Sequence, residues 1–386
     1  MSKRIAILGS TGSIGANALR VIDALGPEYE VTALSAHNSV DLLAQQARQF
    51  QPQYVALTNP AKLRQLKDLL QGEHCEILPG PDSLATLAAL PEVDIVITAV
   101  VGAAGLSAAL AAAKSGKRLA IANKEPLVIA GRLLTETARA NNAIILPIDS
   151  EHSAIFQALQ AGQPDEVHKI ILTASGGPFR NAAPDEIHNA SVEQALQHPT
   201  WNMGPKITVD CATMMNKALE IIEAVWLFAT KVDNIDVLVH PESVIHSMVE
   251  FVDGSIVAQL GTPDMCVPIQ YALTYPKRRK GISSHLRLDQ LGALTFEKPN
   301  LDTFRALKLG FEVAARSGSA PVVFNAANEA AVEEFLAGRI KFGRIVELIE
   351  HCLDKHNDRL SLSLEELLEV DAWARREVTA LLLSKT

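Results

Sequence analysis

Through residues 1–150, short and nearly unbroken apolar runs alternate with segments of helical periodicity. The runs are Arg4–Leu8, Val31–Ser35, Tyr54–Leu57, Cys75–Leu78, Asp94–Ala99, Arg118–Ala122 and Ala143–Ile148. Val40–Phe50, Ala61–Leu70 and Pro126–Asn141 are among the helical segments between them. Strands alternating with helices need crossover connections, which make a mostly parallel sheet. Strands that are apolar throughout fit a sheet covered by helices on both faces. The pattern predicts a doubly wound α/β domain over 1–150.

Beyond that point the pattern changes. Residues 151–285 carry strand candidates at His168–Ala174, Ile235–His240 and Ser255–Leu260 and one strong helix over Ala212–Phe228, the signature of an α+β domain. The stretch 175–205 is rich in Gly, Pro, Asn and His. So long and weakly patterned a segment is commonly a lid or binding loop. Segment 286–311 is mixed and reads as a connector. Over 312–386 the pattern is helical, with Ala320–Leu336, Arg344–Lys355 and Ser363–Leu383 joined by short turns, which predicts a C-terminal α-helical bundle.

Composition fits this division. A chain of 386 residues is too long for one simple core, and 48% hydrophobic with 20% charged residues is ordinary for globular domains. A net charge of −9 repels phosphodiester backbones, so no nucleic-acid partner is expected, although a local site can still take a small phosphorylated ligand. Cys75, Cys211, Cys266 and Cys352 are scattered without a CxxC pair, which disfavours structural zinc, an iron–sulfur cluster and a disulfide framework and fits a cytoplasmic setting. The N-terminus runs directly into a strand, so no leader peptide is expected. No residue from Ile95 to Ala113 is charged, a span long enough for a membrane. Gly102 and Gly105 interrupt it, however, and its second half is mostly alanine, so it reads as strand, turn and buried helix.

The first strand leads into Gly9-Ser10-Thr11-Gly12-Ser13-Ile14-Gly15, and a helix follows over Ala16–Leu25. Glycines let backbone approach a pyrophosphate, and the helix N-terminus offers free N–H groups. Ser10, Thr11 and Ser13 add hydroxyl donors. The spacing is GxxGxxG, yet strand, glycines and helix come in the order of a Rossmann-like dinucleotide site. NAD sites usually place an acid after the second strand. Here that position reads His37-Asn38-Ser39, with no carboxylate before Asp41, which favours NADP. These three residues either hydrogen-bond the 2′-phosphate or simply cap the next helix.

The seventh strand ends in Asp149-Ser150-Glu151-His152. In an extended segment Asp149 and Glu151 point the same way, and paired carboxylates suit Mg²⁺ or Mn²⁺; the alternative is a solvated acidic end that caps a helix. On the helix Ala212–Phe228, Asn216, Lys217 and Glu220 share one face. Glu220 can complete a metal site while Asn216 and Lys217 grip a phosphate, or Lys217 and Glu220 form a surface ion pair. Ser175 before Gly176-Gly177 can bind an anion. Trp201 and Met203 suggest a flap, unless Trp201 only anchors its loop. His240 and His246 can be satisfied core histidines. Asn123-Lys124-Glu125 puts charge at the end of the sixth strand.

Taken together, ILGSTGSIG (7–15), ANKE (122–125), DSEH (149–152), SGGPFR (175–180), HPTWNMG (198–204), ATMMNKALE (212–220), HPESVIHSM (240–248) and PDM (263–265) resemble the 1-deoxy-D-xylulose 5-phosphate reductoisomerase family over nearly the whole chain. The resemblance implies an NADPH- and divalent-metal-dependent enzyme, expected as a homodimer, that rearranges 1-deoxy-D-xylulose 5-phosphate and reduces it to 2-C-methyl-D-erythritol 4-phosphate. It implies Asp149, Glu151 and Glu220 as metal ligands and Lys124 and Ser150 on substrate hydroxyls. Ser175, Asn216, Lys217 and His198 would hold the substrate, His152 and His246 line the site, and Trp201 and Met203 belong to the lid. Thr11, Gly12, Ser13, Ile14, Asn123, Glu125 and Gly204 match cofactor positions. Three positions depart from the family pattern. Cys211 replaces a usual serine at a phosphate contact, and a thiol donates weakly. Pro126 replaces a serine at a helix start, where proline is tolerated. No Lys or Arg stands among residues 37–39. The competing readings are a metal-independent NADP dehydrogenase of a phosphorylated sugar and a non-catalytic dinucleotide sensor.

Overall fold

The structure, a computed structural model, describes residues 2–201 and 203–383. It divides into two compact units, and the chain passes between them more than once. The first comprises Met1–Pro126, Arg132–Ser153 and Asp264–His285; the second comprises Leu127–Gly131, Ala154–Pro263 and Leu286–Thr386.

In the first unit seven parallel strands form one sheet: β1 (Lys3–Leu8), β2 (Tyr29–Ala36), β3 (Tyr54–Leu57), β4 (Glu76–Pro79), β5 (Ile95–Thr98), β6 (Arg118–Ile121) and β7 (Ile144–Pro147). Their order is β4-β3-β2-β1-β5-β6-β7. Ile5, Ile7, Leu8, Leu34, Leu57 and Ile97 are fully buried, as helices on both faces require. The strand order reverses at β1, which opens a crevice beyond the carboxyl ends of β1 and β5. The uncharged run divides into β5 and the helix Leu106–Lys114, and among the described residues no helix is long and apolar enough to cross a membrane.

Sequence periodicity groups residues 264–285 with the middle region, but they belong to this first unit. Helix Cys266–Thr274 packs on helix Ser13–Leu25 and on β6 and β7. The reason is its composition: Cys266, Pro268, Ile269, Tyr271, Ala272 and Leu273 are all buried, and Arg118 donates to the Leu273 carbonyl at 3.2 Å.

The second unit is built on a four-stranded sheet in the order β11-β10-β8-β9, with β8 (Val167–Ala174), β9 (Ile235–Val239), β10 (Ile245–Phe251) and β11 (Ile256–Leu260). β10, which sequence reasoning passed over, runs antiparallel to both β8 and β11, while β8 and β9 are parallel. Ile155, Leu172, Met214, Ile221, Phe251, Phe304 and Leu307 form its core. The expected helix Ala212–Phe228 is present as Met215–Leu227; a separate helix, Pro205–Ala212, precedes it, and Met214 in the left-handed region at φ 62° lies between the two. Helix Arg305–Arg316, which starts inside the expected connector, packs on Met215–Leu227. Gly310 allows it to come close, since a Cβ there would lie 2.6 Å from the Ala218 Cβ. Helices Ala320–Leu336, Arg344–Lys355 and Leu364–Leu383 follow as the predicted helical C-terminal region. Ser363 and Glu366 cap the last helix reciprocally.

Candidate active site

The glycine turn of the first unit is shaped by two contacts that admit no side chain. Gly9 has φ 87°, and a Cβ on it would lie 2.4 Å from the Ala99 carbonyl oxygen, so the turn after β1 lies directly beside the end of β5. A Cβ on Gly15 would lie 2.3 Å from the Gly9 oxygen. The helix begins at Ser13, earlier than the sequence pattern suggests, with Gly12 as its N-cap. Gly12 is different, because a Cβ there would meet only the Gly9 oxygen at an ordinary 3.5 Å. The fold therefore does not require that glycine, and the open backbone there leaves room for the close approach of a phosphate. Thr11, Gly12, Ser13 and Ile14 are exposed or half-buried. Ser10 corrects the sequence reading. It is fully buried, and its hydroxyl donates to Gln46 Oε1 at 2.7 Å, so it ties the turn to the helix Val40–Phe50 instead of facing a ligand.

After β2, His37, Asn38 and Ser39 are exposed. Ser39 occupies the N-cap of helix Val40–Phe50, yet its side chain makes no capping bond, so its hydroxyl is left for another partner. Sequence reasoning missed Lys62, whose ammonium lies 3.0 Å from the Asn38 carbonyl oxygen. Nothing in the spacing of residues 38 and 62 signals this proximity, which comes from β3 pairing with β2.

At the ends of β6 and β7 the charged residues meet. Glu125 Oε1 accepts from the Gly102 N–H at 3.2 Å. Asn123 Oδ1 and Glu125 Oε2 are buried with no hydrogen-bond partner among the described residues, and such acceptors fit the donors of a bound cofactor. Lys124 is buried and pairs with Asp149 Oδ2. Asp149 and Glu151 do not lie in an extended segment as the sequence reading expects. Helix Ser150–Ala158 begins immediately after Asp149, whose carbonyl accepts from the Ser153 N–H at 2.8 Å and whose Oδ1 accepts from the Glu151 N–H at 3.3 Å. The two Asp149 carboxylate oxygens face different partners, Oδ1 the Glu151 N–H and Oδ2 the Lys124 ammonium. Glu151 Oε2 accepts from the Ser150 hydroxyl at 2.5 Å. Burial pushes the Asp149 carboxyl up, but the Lys124 ammonium and then His152 outweigh it and hold the group well below the usual carboxylate range. His152 is fully buried on the same helix.

The second unit carries the other half of the expected residues. On helix Met215–Leu227, Glu220 has no solvent exposure; Asn216 Nδ2 donates to its Oε1 at 2.6 Å, and Lys217 pairs with its Oε2. The Lys217–Glu220 pair, offered above as a surface alternative to a metal site, is therefore buried, a placement justified only when each charge is compensated.

The Ser175 turn is a donor waiting for an acceptor. His198 Nδ1 accepts from the backbone N–H groups of Thr200 (3.2 Å) and Trp201 (2.9 Å), so in the neutral ring the proton sits on Nε2, which faces Ser175 Oγ at 3.1 Å. Ser175 Oγ also accepts from the Gly177 N–H at 3.2 Å. With both of these donors pointing at its oxygen, the hydroxyl hydrogen is directed elsewhere. Burial pushes the His198 ring below the usual 6.5, keeping it neutral. Gly177, at φ 66°, packs on the Cys211 carbonyl, which brings Cys211 to this turn. Phe179, Ile187, Ala190 and Ala195 are buried, so much of 175–205 is anchored, and the segment around His198–Gly204 is what remains for a flap. Asn202 of that motif lies outside the described residues. The Trp201 ring lies 6.4 Å from that of His246. Gly204, the N-cap of helix Pro205–Ala212, has open space where a Cβ would be. His240 is the satisfied core histidine: its Nδ1 meets the Thr295 carbonyl at 2.8 Å and its Nε2 accepts from Val244 and Ile245.

A glycine turn at the switch point of a parallel sheet, with buried acceptors beside it, places the protein among the dinucleotide-binding α/β proteins. Comparison with known proteins narrows this class. Residues 5–131 match the family model of 1-deoxy-D-xylulose 5-phosphate reductoisomerase, and residues 145–228 and 260–377 match two models of that enzyme's C-terminal domains. The 1-deoxy-D-xylulose 5-phosphate reductoisomerase of Trichlorobacter lovleyi is 48% identical over 97% of this chain and 96% of its own length. That of Chloroherpeton thalassium is 49% identical over 97% of both. Among solved structures, the Zymomonas mobilis reductoisomerase in complex with NADPH is similar with a TM-score of 0.94 and 42% identity, covering 99% of each chain. A DOX-P reductoisomerase in complex with NADPH, fosmidomycin and magnesium gives 0.94 and 44%, covering 98% of each. The chain belongs to the 1-deoxy-D-xylulose 5-phosphate reductoisomerase family.

Proposed function

We propose that this protein carries out the NADPH-dependent rearrangement and reduction of 1-deoxy-D-xylulose 5-phosphate to 2-C-methyl-D-erythritol 4-phosphate, a reaction of the non-mevalonate route to isoprenoids. The observation that carries this reading is the family match along nearly the entire chain. NADPH, when bound, supplies the hydride, and a divalent cation, Mg²⁺ or Mn²⁺, supplies Lewis-acid polarisation of the ketone and its neighbouring hydroxyl.

The donor set suits such a cation. Asp149, Glu151 and Glu220 are hard oxygen ligands, and buried carboxylates of this kind are held here by lysines, Lys124 at Asp149 and Lys217 at Glu220. Lys124 and Ser150 donate to substrate hydroxyls and orient them. Ser175 is pre-set to donate its hydroxyl proton by the two N–H groups that occupy its oxygen, and with Asn216, Lys217, His198 and Cys211 it grips the substrate phosphate. His152 and His246 line the site. Trp201 and Met203 cover it and exclude water. On the cofactor side, Thr11, Gly12, Ser13 and Ile14 receive the pyrophosphate. His37, Asn38 and Ser39 receive the 2′-phosphate, and Asn123, Glu125 and Gly204 contact the remainder. The enzyme works in the cytoplasm as a homodimer. β11 is an outer strand with Ile256 and Leu260 exposed, an edge that association would cover.

The test is NADPH oxidation on addition of 1-deoxy-D-xylulose 5-phosphate, with the product identified by mass spectrometry, in the wild type and in Glu220→Gln. Methylerythritol phosphate formed by the wild type and at least about a hundredfold less by the variant is expected. No product from the wild type refutes the function, and full activity in Glu220→Gln refutes its metal assignment.

A further inference from the structure

Segment 37–39, where the 2′-phosphate of NADPH is received in the reading above, contains no Lys or Arg. The fold brings a cation to it from another turn. β3 pairs with β2 in parallel, Ser35 opposite Ala56 and Ala36 opposite Leu57, so the chain leaving β3 runs beside the chain leaving β2. Three contacts join the two turns. His37 Nδ1 and Thr58 Oγ1 are 2.8 Å apart, Asn59 Nδ2 donates to Asn38 Oδ1 at 2.7 Å, and Lys62 Nζ donates to the Asn38 carbonyl oxygen at 3.0 Å. Asn59 also caps the short 3₁₀ turn Pro60–Lys62 through the Ala61 N–H, which fixes the stem from which Lys62 reaches back.

Lys62 is exposed, and it forms no ion pair among the described residues. Its ammonium is held against a neutral carbonyl, a partner that a phosphate dianion displaces readily because a charge-assisted bond is about twice as strong. The nearest carboxylate in sequence to the 37–39 segment is Asp41, in the first turn of helix Val40–Phe50. Some positive charge is therefore needed for a doubly charged phosphate to settle here. Ser39 offers a hydroxyl that caps nothing, and His37 offers a ring nitrogen.

We propose that Lys62, on the turn after β3, binds the ribose 2′-phosphate and selects NADPH over NADH, with His37 and Ser39 as accessory hydrogen-bonding groups. The proposal rests on the NADPH reading and assigns the cation that the sequence around residue 38 lacks. Its role is specificity: the group acts on cofactor binding and touches no reacting atom.

The experiment is calorimetric titration of the full chain with 2′,5′-ADP and with 5′-ADP, for the wild type, Lys62→Met and Lys62→Arg, with melting temperature as the control for folding. Lys62→Met is expected to weaken 2′,5′-ADP about tenfold or more while 5′-ADP stays within about twofold, and Lys62→Arg is expected to keep most of the preference. Lys62→Met that binds 2′,5′-ADP like the wild type, or that loses both ligands equally, overturns the assignment to Lys62 and leaves the NADPH reading standing. A wild type with no preference for the 2′-phosphorylated ligand overturns the NADPH reading itself, and the proposal with it.

Discussion

Gly12 and Gly15 lie three residues apart in one motif, yet alanine at each should fail for a different reason. At Gly15 a Cβ would lie 2.3 Å from the Gly9 oxygen, 2.5 Å from the Ser10 Cα and 2.7 Å from the Ser10 carbonyl carbon. All three are backbone atoms, so no side chain can swing away, and the strand–turn–helix junction itself must open. Overpacking of this kind costs about 3 kcal/mol. At roughly 2–4 °C per kcal/mol for a unit of this size, Gly15→Ala should melt about 6–12 °C lower. At Gly12 the backbone (φ −78°, ψ 172°) suits any residue and the nearest atom is 3.5 Å from the added Cβ. Replacing glycine by alanine at an N-cap costs about 0.5–1 kcal/mol, a shift of only about 1–4 °C. The added methyl nevertheless occupies space that a pyrophosphate needs, so NADPH affinity should fall about tenfold or more. Differential scanning fluorimetry and fluorescence titration with NADPH separate the two effects. Wild-type NADPH affinity in Gly12→Ala, or a wild-type melting point in Gly15→Ala, would refute the division into a glycine the ligand needs and a glycine the fold needs.

Three further outcomes follow from the second unit. Gly310→Val should destabilise the protein by about 2–3 kcal/mol, because even an alanine Cβ would lie 2.7 Å from the Ala218 Cα, and should lower turnover by displacing the helix that carries Asn216, Lys217 and Glu220; wild-type melting and kcat would contradict that close contact. His198 should exist as the Nε2–H tautomer in ¹⁵N NMR with a pKa below the usual 6.5. The folded state then takes up this proton less readily than the unfolded chain, so stability falls as pH drops below about 6.5; an Nδ1–H tautomer or an unshifted titration counts against the turn described here. Cys211→Ser should lower the KM for the phosphorylated substrate about twofold to fivefold by restoring a stronger donor, and an unchanged or higher KM would remove Cys211 from the phosphate site.

The parallel sheet was legible because each of its strands is a short apolar run bounded by helical segments, and sequential elements are neighbours in such a fold. The C-terminal helices were legible from periodicity alone. β10 was not, since Ile245–Phe251 includes His246, Ser247 and Glu250 and lacks a clean alternation. The packing of Cys266–Thr274 on the first unit was not legible, because periodicity shows that a face is apolar without showing which surface covers it. Much the same limit applies at the site. The residue types at 149–152 and 216–220 were readable, and so was the open choice between capping and ligation. The helical start at Ser150, the burial of the Lys217–Glu220 pair and the arrival of Lys62 beside Asn38 depend on strand pairing and packing, which no local pattern carries. Ser10 shows the converse limit: a hydroxyl in a ligand-binding motif looks like a donor to the ligand, whereas the turn uses it to hold Gln46.

If Asp149, Glu151 and Glu220 hold the divalent cation as proposed, turnover of this NADPH-dependent reductoisomerase depends on that metal. The most direct measurement is the rate of NADPH consumption with 1-deoxy-D-xylulose 5-phosphate before chelation, after exhaustive treatment with EDTA, and after Mg²⁺ or Mn²⁺ is returned. Turnover is expected to disappear with the chelator and return with the metal, while NADPH binding persists throughout. Undiminished turnover of the metal-stripped enzyme would contradict it.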